Sequence, residues 1–168
     1  MIVHVKNVLL WRTLRNYFQT TKIDLSKILD LIHSDVCGPM PVKSLGGLLY
    51  YVTFIDDFSR KTWIYLLKTK DEVFDKFQEF KAEVENLTGK KIKILRFDNR
   101  REYTLKELVS LCKQVEIKSA LIFPYNPQHN GVTKRKNRSI EEFVNAMMHD
   151  QDFSLFLWGE ASLTILYI

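Results

Sequence analysis

Cysteine is scarce in this chain: Cys37 and Cys112 are the only two in 168 residues, and neither belongs to a Cys-x-x-Cys pair. That excludes a disulfide scaffold and suits two partly buried small hydrophobes in a reducing compartment. Long apolar runs are missing as well. None approaches the roughly 18 residues of a spanning helix, and Val8-Leu9-Leu10-Trp11 is too short for a secretory signal core. The expectation is an intracellular protein of the nucleus or cytoplasm, not secreted, with no membrane partner. Acids are absent from the first 23 residues, which carry Lys6, Arg12, Arg15 and Lys22. No internal repeat, low-complexity tract or interdomain linker interrupts the chain.

What is present suits one domain with a short arm. An apolar content of 46% is enough to build a sizeable core. The formal charge of +5 leans towards a polyanionic partner, although charge alone identifies none. Residues 1–26 show no clean period and read as a basic arm, with residues 27–168 as the domain.

The run from Ile28 to Val36 is β-type and closes on Gly38-Pro39. A second strand covers Tyr50–Asp56, a turn at Asp57-Phe58-Ser59-Arg60 follows, and a third covers Thr62–Leu67. Such short connections favour an antiparallel meander. The period then changes: Val73, Phe77, Phe80, Val84 and Leu87 recur at three- and four-residue steps, the mark of an amphipathic helix that Gly89 ends. A strand over Lys91–Phe97, a helix from Thr104 to Gln114 and a strand from Ile117 to Ile122 come next. Pro124 to Gly131 is a loop, the chain is helical from there to His149, and a last helix spans Phe153–Tyr167. This order predicts an α/β fold: a five-stranded mixed sheet with helices on both faces. The last helix is still running at Ile168, so the domain reads as truncated there.

Three places invite chemistry. Asp35 ends an otherwise apolar strand, and Asp98 follows the fourth strand in Arg96-Phe97-Asp98-Asn99. Either alone is most often a turn former. Together, at neighbouring strand ends, they supply the oxygen ligands a hard divalent cation takes. The third place is Asn130-Gly131-Val132-Thr133-Lys134-Arg135-Lys136-Asn137-Arg138, whose four cations beside a helix N-terminus suit phosphates. The plainer alternative is a solvated helix face.

Taken in order, His33 to Met40, Phe54 to Arg60, Asp98-Asn99 with Glu102-Tyr103, and Pro124 to Val132 with Arg135-Lys136-Asn137-Arg138 resemble the integrase core of Copia-type LTR retrotransposons. The likeness runs from Lys27 to Trp158-Gly159-Glu160-Ala161. It implies an RNase H-like fold, DNA as partner, possible self-association, and a two-metal Asp-Asp-Glu site that uses Mg2+ for strand transfer. Asp35 and Asp98 would be the catalytic, metal-binding acids. Tyr125 and Asn130 would lie near a DNA end, with Lys134, Arg135, Lys136 and Arg138 supplying charge around it.

The family places 35 residues between its second Asp and its Glu, and counting from Asp98 lands on Lys134. Glu141, seven residues on, is about 10.5 Å further along the helix, too far for a metal bond without remodelling. Two more departures accompany this one. Arg100-Arg101 stand where the family has Gly-Gly, and Val5 and Val8 fall where its zinc-binding arm has cysteines, making the arm a degenerate remnant. The resulting expectation is a retrotransposon-derived integrase core, catalytically degenerate, with Mg2+ binding weak or lost. The alternative is a domesticated, non-enzymatic nucleic-acid-binding or interaction module. A further expectation is that the Lys134 ammonium reaches between Asp35 and Asp98 in place of metal.

Overall fold

The computed structural model describes residues 25–98, 104–122, 131–150 and 154–167. The basic arm therefore lies outside the described residues, save its last two. Five strands form one sheet: β1 (Leu31–Cys37), β2 (Tyr50–Asp56), β3 (Thr62–Leu67), β4 (Ile94–Asp98) and β5 (Lys118–Ile122), in the spatial order β3-β2-β1-β4-β5. The first three make the expected antiparallel meander, with Asp35 opposite Thr53 and Cys37 opposite Tyr51. β4 and β5 add in parallel on the other side of β1. Between them run α1 (Val73–Thr88) and α2 (Thr104–Gln114), and after them α3 (Gly131–Asp150) and α4 (Trp158–Thr164).

Alternation along each strand gives the sheet two apolar faces. Ile32, Val52, Phe54, Leu67, Leu95 and Phe97 pack against α1 and α2, whose Phe77, Phe80, Leu108 and Cys112 are buried. Phe80 stacks on Phe54 with centroids 4.5 Å apart, while Trp63 meets its edge at 5.1 Å. Tyr51 and Ile64 face the other way, against Ile140, Val144 and Met148 of α3 and Trp158 and Ala161 of α4. Asp35 and Thr53 belong to that second face, so the position of α3 decides what surrounds Asp35.

Three boundaries differ from the sequence expectation. β1 begins at Leu31 instead of Ile28, because residues 27–30 form a turn. Leu29 takes a left-handed φ of 67° while its N–H donates to the Asp56 carboxylate at 2.8 Å. β4 begins at Ile94 instead of Lys91, since the Ile92 N–H goes to the Glu85 carboxylate at 3.0 Å and not to a neighbouring strand. The last helix is short, with α4 flanked by 3-10 turns at Leu155–Leu157 and Ile165–Tyr167. The Trp158 indole N–H donates to the Val42 carbonyl at 2.9 Å and ties this segment to the loop after β1.

Glu85 joins α1 to β4. Gly89, with φ 65°, ends the helix in the left-handed conformation that glycine adopts most readily. Burial alone would raise the Glu85 carboxyl, but hydrogen bonds from Lys81, Lys91 and the Ile92 N–H outweigh it and hold the pKa below 4.5. A depressed carboxyl contributes stability above its unfolded pKa and loses it as pH falls through the folded value. Glu85→Ala should cost about 1–3 kcal/mol in urea unfolding near pH 7, because it strands the buried Ile92 N–H. That difference should shrink as pH drops below 4.5. A difference independent of pH would mean that the carboxylate charge contributes nothing.

Candidate active site

β1 delivers Asp35 near its C-terminal end, half-buried. The last registered pair between β1 and β4 is Ser34 with Phe97, so Asp35 and Asp98 are the next residues on two parallel, adjacent strands. Neighbouring strands lie roughly 4.7–4.9 Å apart, which places the two backbone positions side by side. The Asp98 backbone pairs onward with Ile122. Its side chain lies outside the described residues, as do Arg100, Arg101, Tyr125 and Asn130.

The Asp35 carboxylate is held from two directions. Its Oδ1 accepts the Val36 N–H at 3.1 Å, and its Oδ2 accepts the Asn137 amide Nδ2 at 3.0 Å. The Asn137 Oδ1 in turn accepts the Thr53 hydroxyl at 3.0 Å. Asn137 is 5% exposed and Thr53 fully buried. A side-chain relay therefore runs from β2 through α3 to β1, with both ends of the amide used. Asn137 and Thr53 are site residues that the sequence reading did not single out. In sequence, Asn137 looks like one polar residue among cations, and Thr53 like an ordinary strand residue. The i, i+4, i+7 spacing of Thr133, Asn137 and Ile140 on the buried face of α3 was the available signal.

Lys134 lies three residues before Asn137, on a neighbouring side of the helix. It is exposed, and among the described residues it makes no hydrogen bond or ion pair. The expected ammonium bridge is thus corrected on the Asp35 side: the amide of Asn137 occupies that place. A short amide loses less rotamer freedom than a lysine, whose strongly hydrated ammonium favours water. Arg135 and Lys136 are exposed too. Arg138 is exposed and gives its Nε to Glu142 at 2.8 Å, so part of its charge is neutralised within the helix.

One layer below Asp35 on the same face sits His33, 2% exposed, with Nε2 2.9 Å from an Asp57 carboxylate oxygen that Arg60 also contacts. Burial lowers the imidazole pKa and outweighs the raising effect of Asp57. The contact is therefore a hydrogen bond from a neutral ring, not an ion pair. Cys37, one step above, has its thiol pushed up to about 12 by burial, which makes it unreactive at neutral pH.

Magnesium takes hard oxygen ligands, and a two-metal centre requires several carboxylates. The described residues place Asp35 and the Asp98 backbone on adjacent strands, and no group of three or more His, Cys, Asp or Glu among them could hold a metal ion. Among the described residues that donor set falls short of a two-metal centre.

The sheet order and the helices on both faces define an RNase H-like α/β protein. Residues 27–127 match the integrase core domain family, and the chain belongs to it. It is 50% identical over 151 residues to the retrovirus-related Pol polyprotein from transposon TNT 1-94 of Nicotiana tabacum, covering 90% of this chain and 11% of that protein. It is also 35% identical over 151 residues to the Pol polyprotein from transposon RE2 of Arabidopsis thaliana, covering 90% of this chain and 10% of that one. The chain thus spans about a tenth of the length of these relatives. Among solved structures it is similar to a chain of the simian T-cell lymphotropic virus intasome in complex with PP2A regulatory subunit B56 gamma. The TM-score is 0.62 at 17% identity, covering 81% of this chain and 46% of that chain, a likeness of fold.

The relay makes a measurable claim. Asn137→Ala removes the amide that links the Thr53 hydroxyl to the Asp35 carboxylate and should cost about 1–3 kcal/mol in denaturant unfolding. Asn137→Asp should cost more at pH 7 than at pH 4, because it sets a second carboxylate against Asp35. If both variants unfold like the parent, α3 is held by apolar packing alone.

Proposed function

We propose that this domain is a catalytically degenerate integrase core that keeps its fold and a sequence-tolerant affinity for DNA. The observation that carries the reading is the position of Lys134 on α3, three residues before the Asn137 that grips Asp35. That proximity supports position 134 as the place of the third acid, and a lysine there cannot ligate a metal as a carboxylate does. Its charge opposes cation binding by roughly 4 kcal/mol at about 4 Å and an effective dielectric near 20.

Asp35 and Asp98 remain as the two acids of the former centre, and Mg2+ binds weakly if at all. Arg135 and Lys136, exposed beside the start of α3, are the cations best placed for phosphates, joined by Lys134 and the partly neutralised Arg138. Tyr125 and Asn130 complete the DNA-facing loop in this reading. The domain works in the nucleus or cytoplasm, and self-association follows the family. The arm is a degenerate zinc-binding remnant in this reading. A domesticated, non-enzymatic module would share these features; a specific cellular partner would favour it.

Two experiments follow. Purified protein should give no magnesium-dependent joining of DNA ends above the level of an Asp35→Asn control, and joining above that level would overturn the degenerate reading. Binding to duplex DNA should weaken steeply with salt. Replacing Arg135 and Lys136 together should lower the slope of log affinity against log salt by about two, one for each lost phosphate contact. An unchanged slope and affinity would make the basic helix plain solvated surface.

A further inference from the structure

On the face that carries Asp35, α3, α4, β2 and the loop after β1 enclose a cavity of about 260 Å3. Met40, Pro41, Ile140 and Val144 give it apolar walls, while Tyr51, Glu141, Asn145 and Ser162 supply its polar groups. Tyr51 is 1% exposed, and among the described residues its hydroxyl has no hydrogen-bond partner apart from a thiol. Its nearest polar neighbour, the Cys37 thiol, is a weak one. The ring packs against Trp158 with centroids 6.4 Å apart, so the hydroxyl cannot easily swing away. Buried hydroxyls without a partner are costly and are kept in native folds mainly where a bound molecule or a function requires them.

We infer that this cavity binds a small organic ammonium compound, an amine on a short apolar body. Each polar group offers an acceptor oxygen, and the one charge among them is negative. Glu141 stands exposed at the rim with that carboxylate, and among the described residues no lysine or arginine lines the cavity. The Ser162 hydroxyl is already spent as a donor to the Trp158 carbonyl at 2.7 Å, so it can only accept. Burial first, then the Cys37 thiol, Glu141 and Asp35, raise the Tyr51 phenol, so it stays neutral. Such a lining selects donors and cations and repels phosphate, which separates the cavity from the DNA-facing cations of α3.

Water alone fills it poorly. At roughly 30 Å3 per molecule the space holds about nine waters, yet each needs two to four polar partners and half the named walls are apolar. An amine whose body lies on Met40, Pro41, Ile140 and Val144 uses both kinds of wall. Its N–H groups would reach Glu141 and, inside, Asn145 or Tyr51. The site is distinct from Asp35 but one helical turn from Asn137, so its occupant would press on the same stretch of α3.

The test is an NMR titration of the full chain with benzylamine and, in parallel, benzyl alcohol, its neutral analogue. Benzylamine should give saturable shifts at the Ile140 and Val144 methyls with a millimolar dissociation constant, and the alcohol should bind at least about tenfold more weakly. Glu141→Gln, a rim substitution that leaves the core intact, should remove most of that preference. Tyr51→Phe should weaken the amine while the parent fold persists in the spectrum. Absence of saturable shifts up to about 10 mM overturns the proposal, as does equal binding of amine and alcohol. A Glu141→Gln variant that titrates like the parent would do so as well.

Discussion

Where α3 crosses the sheet, a single side-chain amide satisfies two strands at once. Asn137 gives its N–H to Asp35 on β1 and takes the Thr53 hydroxyl from β2, both at 3.0 Å and both largely out of water. Polar groups at that depth are expensive unless completely paired, so the relay fixes the helix in register and in rotation. A slip of one residue would break both of these hydrogen bonds at once. From that one constraint follow the direction in which Lys134 projects, the exposure of Arg135 and Lys136, and the enclosure of the cavity beneath Ile140 and Val144. The apolar packing of Tyr51, Trp158 and Met148 supplies bulk attraction, but by itself it tolerates several rotations of the helix.

Under the degenerate reading we propose, the same constraint lets a former active site lose its chemistry and keep its shape. Asp35 is an element of structure, since its carboxylate anchors α3 through Asn137. Lys134 lies on the outer side of that anchor and, among the described residues, makes no hydrogen bond or ion pair with the relay. The fold depends little on that side chain, because an exposed lysine contributes close to nothing to stability. Selection on folding and selection on strand transfer act on different residues of one helix. Degeneracy at position 134 is thus compatible with the ordered core seen around it.

Much of the fold was legible in the residues. Aromatic and β-branched runs with short turns announced the meander, and the spacing of Val73, Phe77, Phe80 and Val84 announced α1 and its buried face. The boundaries were not, because they are set from a distance: Asp56 turns Leu29 out of the strand from 27 residues away, and Glu85 captures Ile92. Within the site, Asp35 stood out as an acid ending an apolar run. Asn137 did not, since a run of cations hides the one residue that faces inward. The cavity and the orphaned Tyr51 hydroxyl left no trace in the sequence, because they arise from how β2, α3 and α4 meet.

The central claim is that Lys134 replaced the acid on which the metal centre depended. It is tested most directly by calorimetric titration of Mg2+ into the parent, Lys134→Glu and Lys134→Glu combined with Asp35→Asn. The account requires no saturable binding by the parent, binding by Lys134→Glu, and loss of that binding when Asp35 is also replaced. Saturable magnesium binding by the parent, abolished by Asp35→Asn and indifferent to residue 134, would contradict it.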